Sequence, residues 1–269
     1  MKSPKRGLAS SMVRSMALGV GVVLCLGAGI DRWKPWTAED KPVYVAKRAT
    51  ERPDLRGNWD SPVWQQANEL QIAHFLSRSS ENQAASDFRP ETRVRVLYDA
   101  AGVYLFYRVK DRYIKSVATE YRGKVWEDAC VELFVQPKPE RGYFNFEINC
   151  GGTMLLSYHE NPDWKGEVKR QDGGVPWELA RTVPIYHSMP ERVYPEVVEE
   201  TVWQLEYHIP FELLEDYVGP LGNVAGQTWR ANFYKCAETN SHPHWASWSP
   251  ILEGDDFHSP RFFGVLRFE

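Results

Sequence analysis

The sequence predicts an all-β fold: a two-sheet antiparallel β-sandwich, jelly-roll or immunoglobulin-like, with minor short helices. Three observations carry this. Aromatic residues are abundant (11 Trp, 13 Tyr and 12 Phe) beside 19 Gly and 18 Pro, which joins strand formers to turn formers. Apolar residues alternate with period two in several runs of strand length. The pattern shows neither long amphipathic helices nor βαβ alternation.

The first thirty residues differ from the rest. Lys2, Lys5, Arg6 and Arg14 precede an uncharged apolar run over 16–30. That is the length of a signal-peptide core and short of the roughly 20 residues of a membrane span. Residues 1–30 therefore predict a signal peptide or N-terminal anchor, hence an exported protein (periplasmic, secreted or cell-surface). An uncleaved anchor would be its only membrane contact. Leu24 stands before Cys25, where a lipoprotein signal normally has a small residue. Residues 31–54, rich in charge and Pro, form a linker or lead-in strand, and residues 55–269 form the sandwich domain.

Within that domain, Gly57 to Leu70 reads as a turn and a short helical turn. Residues 93–98 and 103–109 flank Asp99-Ala100-Ala101-Gly102, a hairpin signal. Residues 130–135 give the next strand, and 143–150 and 153–158 flank Gly151-Gly152 as a second hairpin. The clearest alternation places Trp203, Leu205, Tyr207 and Ile209 on one face and Gln204, Glu206 and His208 on the other. A helical turn or two over 211–217 and strands over 229–234 and 262–268 complete the domain.

A net charge of -4 leaves no basic footprint for nucleic acid. After Cys25 come Cys130, Cys150 and Cys236, an odd number that rules out a disulfide framework. Strand parity puts Cys130 and Cys150 on unlike faces.

Three constellations bear on function. Trp126 precedes a strand in which Cys130, Glu132 and Phe134 oppose Val131, Leu133 and Val135. With the aliphatic face inward, Glu132 projects outward or into a cleft. In the next strand Phe144, Phe146, Ile148 and Cys150 oppose Asn145, Glu147 and Asn149. Such a row of amides and carboxylates suits either a wet surface or sugar hydroxyls. Finally, Trp245 and Trp248 lie in the Pro-bounded run 242–250. An indole exposed there would stack on the C–H face of a sugar ring; the alternative is that both plug the sandwich end.

The ordered segments WEDACVELFV, GYFNFEINCGG, WQLEYHIPFELL, WRANFYKC and WASWSP…FHSPRFFGVLRF, with Gly57, Trp64 and Ala67, resemble the family 9 carbohydrate-binding modules over about residues 55–269. The resemblance implies a β-sandwich of the sugar- and haem-binding superfamily that grips a glycan's reducing end between two Trp residues. By that match Trp126 is the first clamp residue and Glu132 the hydrogen-bonding Glu. Trp248 is the second clamp residue, with Trp245 as the fallback. Asn149 and Asn232 are further ligands. The partner implied is a mono- or oligosaccharide end. No cofactor is required. Some members bind structural calcium, but Asp255-Asp256 alone offers too little for a readable site.

Two other readings compete. Cys236, His242 and His244 offer metal ligands, and Met154 or Met189 an axial haem ligand, for an extracytoplasmic metal or haem module. Glu127, Asp128, Glu132 and Glu147 offer carboxylates for a glycoside hydrolase near Trp126. No standard catalytic motif accompanies them, which favours a binding protein over an enzyme. His74, His159, His187 and His208 read as surface positions.

Overall fold

The computed structural model describes residues 41–77, 84–160, 174–252 and 254–269; the predicted signal or anchor segment lies outside them. β1 (Val43–Arg48) arises from the stretch expected as a lead-in. α1 (Pro62–Gln65) opens on a Pro, harmless in a first turn because that N–H has no helical partner. β2 (Glu69–Ile72) and β3 (His74–Phe75) follow. β4 (Glu91–Tyr98) and β5 (Gly102–Asp111) form the first predicted hairpin. Asp99 Oδ1 closes its turn by accepting from the Ala101 and Gly102 N–H groups. Next come β6 (Ile114–Ser116), β7 (Cys130–Gln136), β8 (Tyr143–Asn149) and β9 (Met154–His159). Then follow α2 (Trp177–Ala180), β10 (Ile185–His187), β11 (Val193–Val197) and β12 (Thr201–Pro210). α3 (Phe211–Val218) ends at Gly219, whose φ of 73° suits a residue without a Cβ. β13 (Thr228–Ala237), β14 (His244–Ser247) and β15 (Gly264–Phe268) complete the chain.

Two layers pack face to face. One runs β10-β12-β5-β4, with β2 also on β4; the other runs β15-β13-β7-β8-β9, with β14 on β13 and β3 on β14. β6 and β11 form a small separate sheet. β1 belongs to both layers. Val43–Ala46 pair in parallel with β15, and Lys47–Arg48 pair in parallel with Leu97–Tyr98 of β4. The otherwise antiparallel layers are therefore joined along one edge as a single curled sheet. Tyr44 fastens the crossing, its hydroxyl accepting from the Val96 N–H at 2.8 Å and donating to Asn68 O.

The period-two residues meet between the layers. Val96, Leu105, Val109, Trp203, Leu205 and Ile209 face Leu133, Val135, Phe144, Phe146, Ile148 and Phe233, all buried. Trp248 packs in this interior with its ring 5.5 Å from Phe233. It fits because residue 264 is glycine: a Cβ there would lie 2.5 Å from the indole Cζ3. An ion pair sits in the interior as well, with Lys235 Nζ 3.4 Å from Asp111 Oδ2.

The outer face of β5 and β12 is also covered. Trp59 and Trp64 pack on Phe106, and Glu206 accepts from the Gly57 N–H and Trp64 Nε1. His208, expected at the surface, is consequently buried and stacked on Tyr104 with centroids 4.3 Å apart. Alternation gave its face correctly but not what lies over that face. Cys130, Cys150 and Cys236 are all unbridged. Among the described residues no helix is long and apolar enough to cross a membrane.

Trp248→Ala is expected to lower stability by about 3–5 kcal/mol, as for other buried aromatic truncations. Urea denaturation measures it; an unchanged midpoint would remove Trp248 from the interior.

Candidate functional site

A cleft of about 500 Å³ opens on the outer face of β7, β8 and β13. Register builds its floor. Glu132 lies opposite Glu147 on β8 and opposite Tyr234 on β13, while Cys130 lies opposite Cys236. The carboxylates are thus brought together by the same alternation that sends Val131, Leu133, Phe146 and Ile148 inward.

A 3-10 turn (Val125–Glu127) sets Trp126 on the cleft wall, half-buried. The Trp126 carbonyl accepts from the Glu238 N–H at 3.2 Å, which ties the turn to the end of β13. Trp245 lines the cleft from β14, its Nε1 donating to Glu238 Oε1 at 2.8 Å. Asn145 Nδ2 donates to Glu147 Oε1 at 2.6 Å, and Asn145 Oδ1 meets His159 Nε2 at 3.1 Å. Phe257 stacks on Tyr234, and His258 Nδ1 meets the Tyr143 hydroxyl at 2.9 Å.

Glu132 is the most constrained of these groups. It is 2% exposed; Oε1 accepts from Cys236 Sγ at 3.0 Å, and Oε2 is buried without a hydrogen-bond partner among the described residues. Burial, together with Cys236 and Glu147 beside it, holds its carboxyl well above the ordinary range. Burial likewise pushes the Cys130 thiol up to about 12.

The site residues expected from sequence separate into two groups. Trp126, Glu132 and Trp245 line the cleft. Trp248 does not, because along β14 Trp245 and Ser247 point outward while Ala246 and the following Trp248 point inward. Asn149 lies below the loop that carries Trp126, donating to Ala118 O and Asp128 Oδ2 and accepting from the Thr153 N–H. Asn232 accepts from the Phe233 and Ser249 N–H groups and donates to Ser249 O. Three hydrogen bonds to the protein thus engage each of the two amides. His159, His258 and Glu238 also line the cleft; none was an expected site residue, although His258 falls within a segment that carries the resemblance.

The metal sets considered from sequence do not assemble. His244 Nε2 meets Lys235 Nζ on the inner face, His242 stacks on Tyr113, and Cys236 faces the cleft. Met154 is buried in the interior. For calcium, Asp255 pairs with Arg261 and Asp256 caps the His258 N–H. Among the described residues the one converging set of thiol, imidazole or carboxylate ligands is Cys130, Glu132 and Cys236. Its two sulfurs do not suit calcium, an oxygen-seeking ion.

The buried Glu132 gives a pH signature. Its folded pKa lies above the ordinary value of 4.5, so the unfolded chain releases this proton first. Stability is then lost as pH rises from about 4.5 towards the raised value. Glu132→Gln should remove that loss: melting temperatures of the two proteins are expected to differ more at pH 7 than at pH 4, with the variant gaining. A gap independent of pH would mean Glu132 is ionised normally.

The model of carbohydrate-binding family 9 matches residues 64–268. A candidate carbohydrate-binding protein from Bacteroides uniformis ATCC 8492 has a similar crystal structure, with 29% identity and a TM-score of 0.70 over 85% of this chain and 100% of that one. A family 9 module from Caldicellulosiruptor kristjanssonii, solved in complex with cellotriose, gives a TM-score of 0.53 at 12% identity, covering 85% of this chain and 94% of the module. The module from that organism in complex with glucose gives 0.52 at 12%, covering 84% and 95%. At such identity these two speak for the fold alone. No curated protein matches the chain. With its matched length reaching from α1 to the end of β15, the chain belongs to carbohydrate-binding family 9.

Proposed function

We propose that this protein binds the end of a glycan in the cleft, with the sugar ring against Trp126 and Trp245 and its hydroxyls held by Glu132, Glu147 and Asn145. The observation that carries this reading is Glu132 Oε2, a buried oxygen that meets no donor among the described residues, beside the half-buried indole of Trp126 on the cleft wall. A sugar hydroxyl supplies that donor, while the ring C–H face matches the indole. Asn149 and Asn232 act indirectly, by fixing the loops that carry the walls. An exported protein with residues 1–30 as its signal fits this role; N-terminal sequencing of the secreted product tests it.

Tryptophan fluorescence titrated with glucose, cellotriose and a panel of glycan fragments is the direct experiment. Trp126→Ala should weaken binding about tenfold, as the loss of a stacking term near 1.4 kcal/mol would. Glu132→Gln should weaken it as well. Trp248→Ala, if folded, should bind as the parent does. No response from the parent to any saccharide would sink the proposal.

Catalysis is a second reading, favoured by one observation: Glu132 and Glu147 are directly opposed on adjacent strands, and retaining glycosidases hold their two carboxyls about 5–5.5 Å apart. Aryl glycosides should nonetheless remain intact with this protein. Turnover abolished by Glu132→Gln would replace binding by hydrolysis.

A further inference from the structure

The cleft floor holds two thiols that sugar binding does not use. Cys130 and Cys236 are direct cross-strand partners on β7 and β13, both buried and unbridged. Glu132, two residues beyond Cys130 on the same face, reaches back so that Oε1 lies 3.0 Å from Cys236 Sγ. One ligand atom from each of the three residues lies within 4.8 Å of the other two. The second Glu132 oxygen is buried and meets no donor among the described residues. Cys150, by contrast, belongs to the aliphatic interior.

We propose that Cys130, Cys236 and Glu132 bind one thiophilic divalent ion of the zinc class, with a fourth coordination position open to the cleft. Zinc takes sulfur at about 2.3 Å and carboxylate oxygen at about 2.0–2.2 Å in a tetrahedron. Neighbouring ligand atoms then stand roughly 3.5–3.8 Å apart, inside the observed span. Two paired strands hold the donors, so little ordering is left for the ion to impose. Cys236 and Glu132 line the cleft while Cys130 lies deeper, which gives the ion an entry path. Three protein ligands with one position free is the pattern of open zinc sites.

Binding exchanges protons for metal. Both thiols are held protonated by burial, so the ion displaces two thiol protons and any proton on Glu132, leaving two thiolates and a carboxylate around a dication. The net charge of the centre is -1. Glu147 on β8 and Glu238 beyond β13 face it with further negative charge, and Lys235 lies across the sheet. Metal loading therefore rises with pH.

The test uses the full chain, reduced with a phosphine and titrated with Co²⁺ as a spectroscopic stand-in for Zn²⁺. Expected are one Co²⁺ per chain, the visible bands of a tetrahedral ion, a thiolate-to-cobalt charge-transfer band, and displacement by Zn²⁺. Cys130→Ser and Cys236→Ser should abolish these signals, and Cys150→Ser should keep them, with circular dichroism reporting the fold of each. Glu132→Ala should weaken uptake at least about tenfold, the lower end of what even an outer partner of a metal ligand costs. The unmodified chain decides the matter should a variant not fold. Absence of the charge-transfer band, cobalt bound without it, or signals that survive loss of both cysteines each overturn the proposal. Sugar binding is read separately by fluorescence, so failure of the glycan reading leaves this result intact.

Discussion

The arrangement depends on strands β7, β8 and β13 being buried on both faces in strict alternation. Val131, Leu133, Phe146, Ile148 and Phe233 fill the interior, while Glu132, Glu147 and Cys236 line the cleft with Cys130 and Tyr234 buried on the same face. A slip of one residue in any pairing would exchange the two sets, sending carboxylates into the interior and isoleucine into the cleft. The hydrophobic requirement of the core therefore fixes the geometry of the site. No separate device is needed to aim Glu132 at Glu147; the core has already chosen the register.

That economy has an energetic consequence on the polar side. Glu132 is held out of water with one oxygen satisfied by a thiol and the other by no group among the described residues. An unpaired buried acceptor costs about 1–3 kcal/mol, and Glu147 in the opposed position raises the cost of ionising it. The deficit is removed by whatever brings a donor or a cation to the floor. A sugar hydroxyl would do the first and a zinc-class ion the second, so both proposals answer one physical imbalance. They draw on different neighbours: the indoles for the sugar, the cysteines for the ion.

Much of this was legible in the sequence, for reasons that differ by element. The faces of β7 and β8 followed from alternation alone, and Trp126 and Glu132, which the resemblance names as sugar ligands, both line the cleft. The second wall was harder. His242 to Pro250 is bounded by Pro and contains two Ser, a composition that reads as a loop, where parity has no meaning. Residues 244–247 are a short strand, so Trp245 and Trp248 fall on opposite faces, and the interior claims the latter. Asn149 and Asn232 sit on site-bearing strands, yet backbone groups in adjoining loops satisfy them. Side-chain satisfaction of that kind is set by tertiary contacts no single sequence displays. β1 was legible only as a lead-in because its partners, β15 and β4, are distant in sequence and parallel to it.

The far wall of the cleft is registered from inside the molecule. Lys235 and Cys236 are neighbours on β13 pointing to opposite faces, one to the interior and one to the cleft floor. Lys235 Nζ contacts Asp111 of β5, the Cys236 carbonyl and His244 Nε2 of β14, and Trp203 of β12 donates to the same Asp111. His244 directly precedes Trp245. This buried charge therefore ties β5 and β12 of one layer to β13 and β14 of the other at the level of the site. Breaking one partner of such a pair leaves an uncompensated buried ion and typically costs about 3–5 kcal/mol, whereas replacing the whole network by apolar groups is often neutral. The network fastens His244 of β14 to Lys235 of β13 and through it to Asp111 of β5, and the residue after His244 is the Trp245 that lines the cleft wall with Trp126 and Glu132.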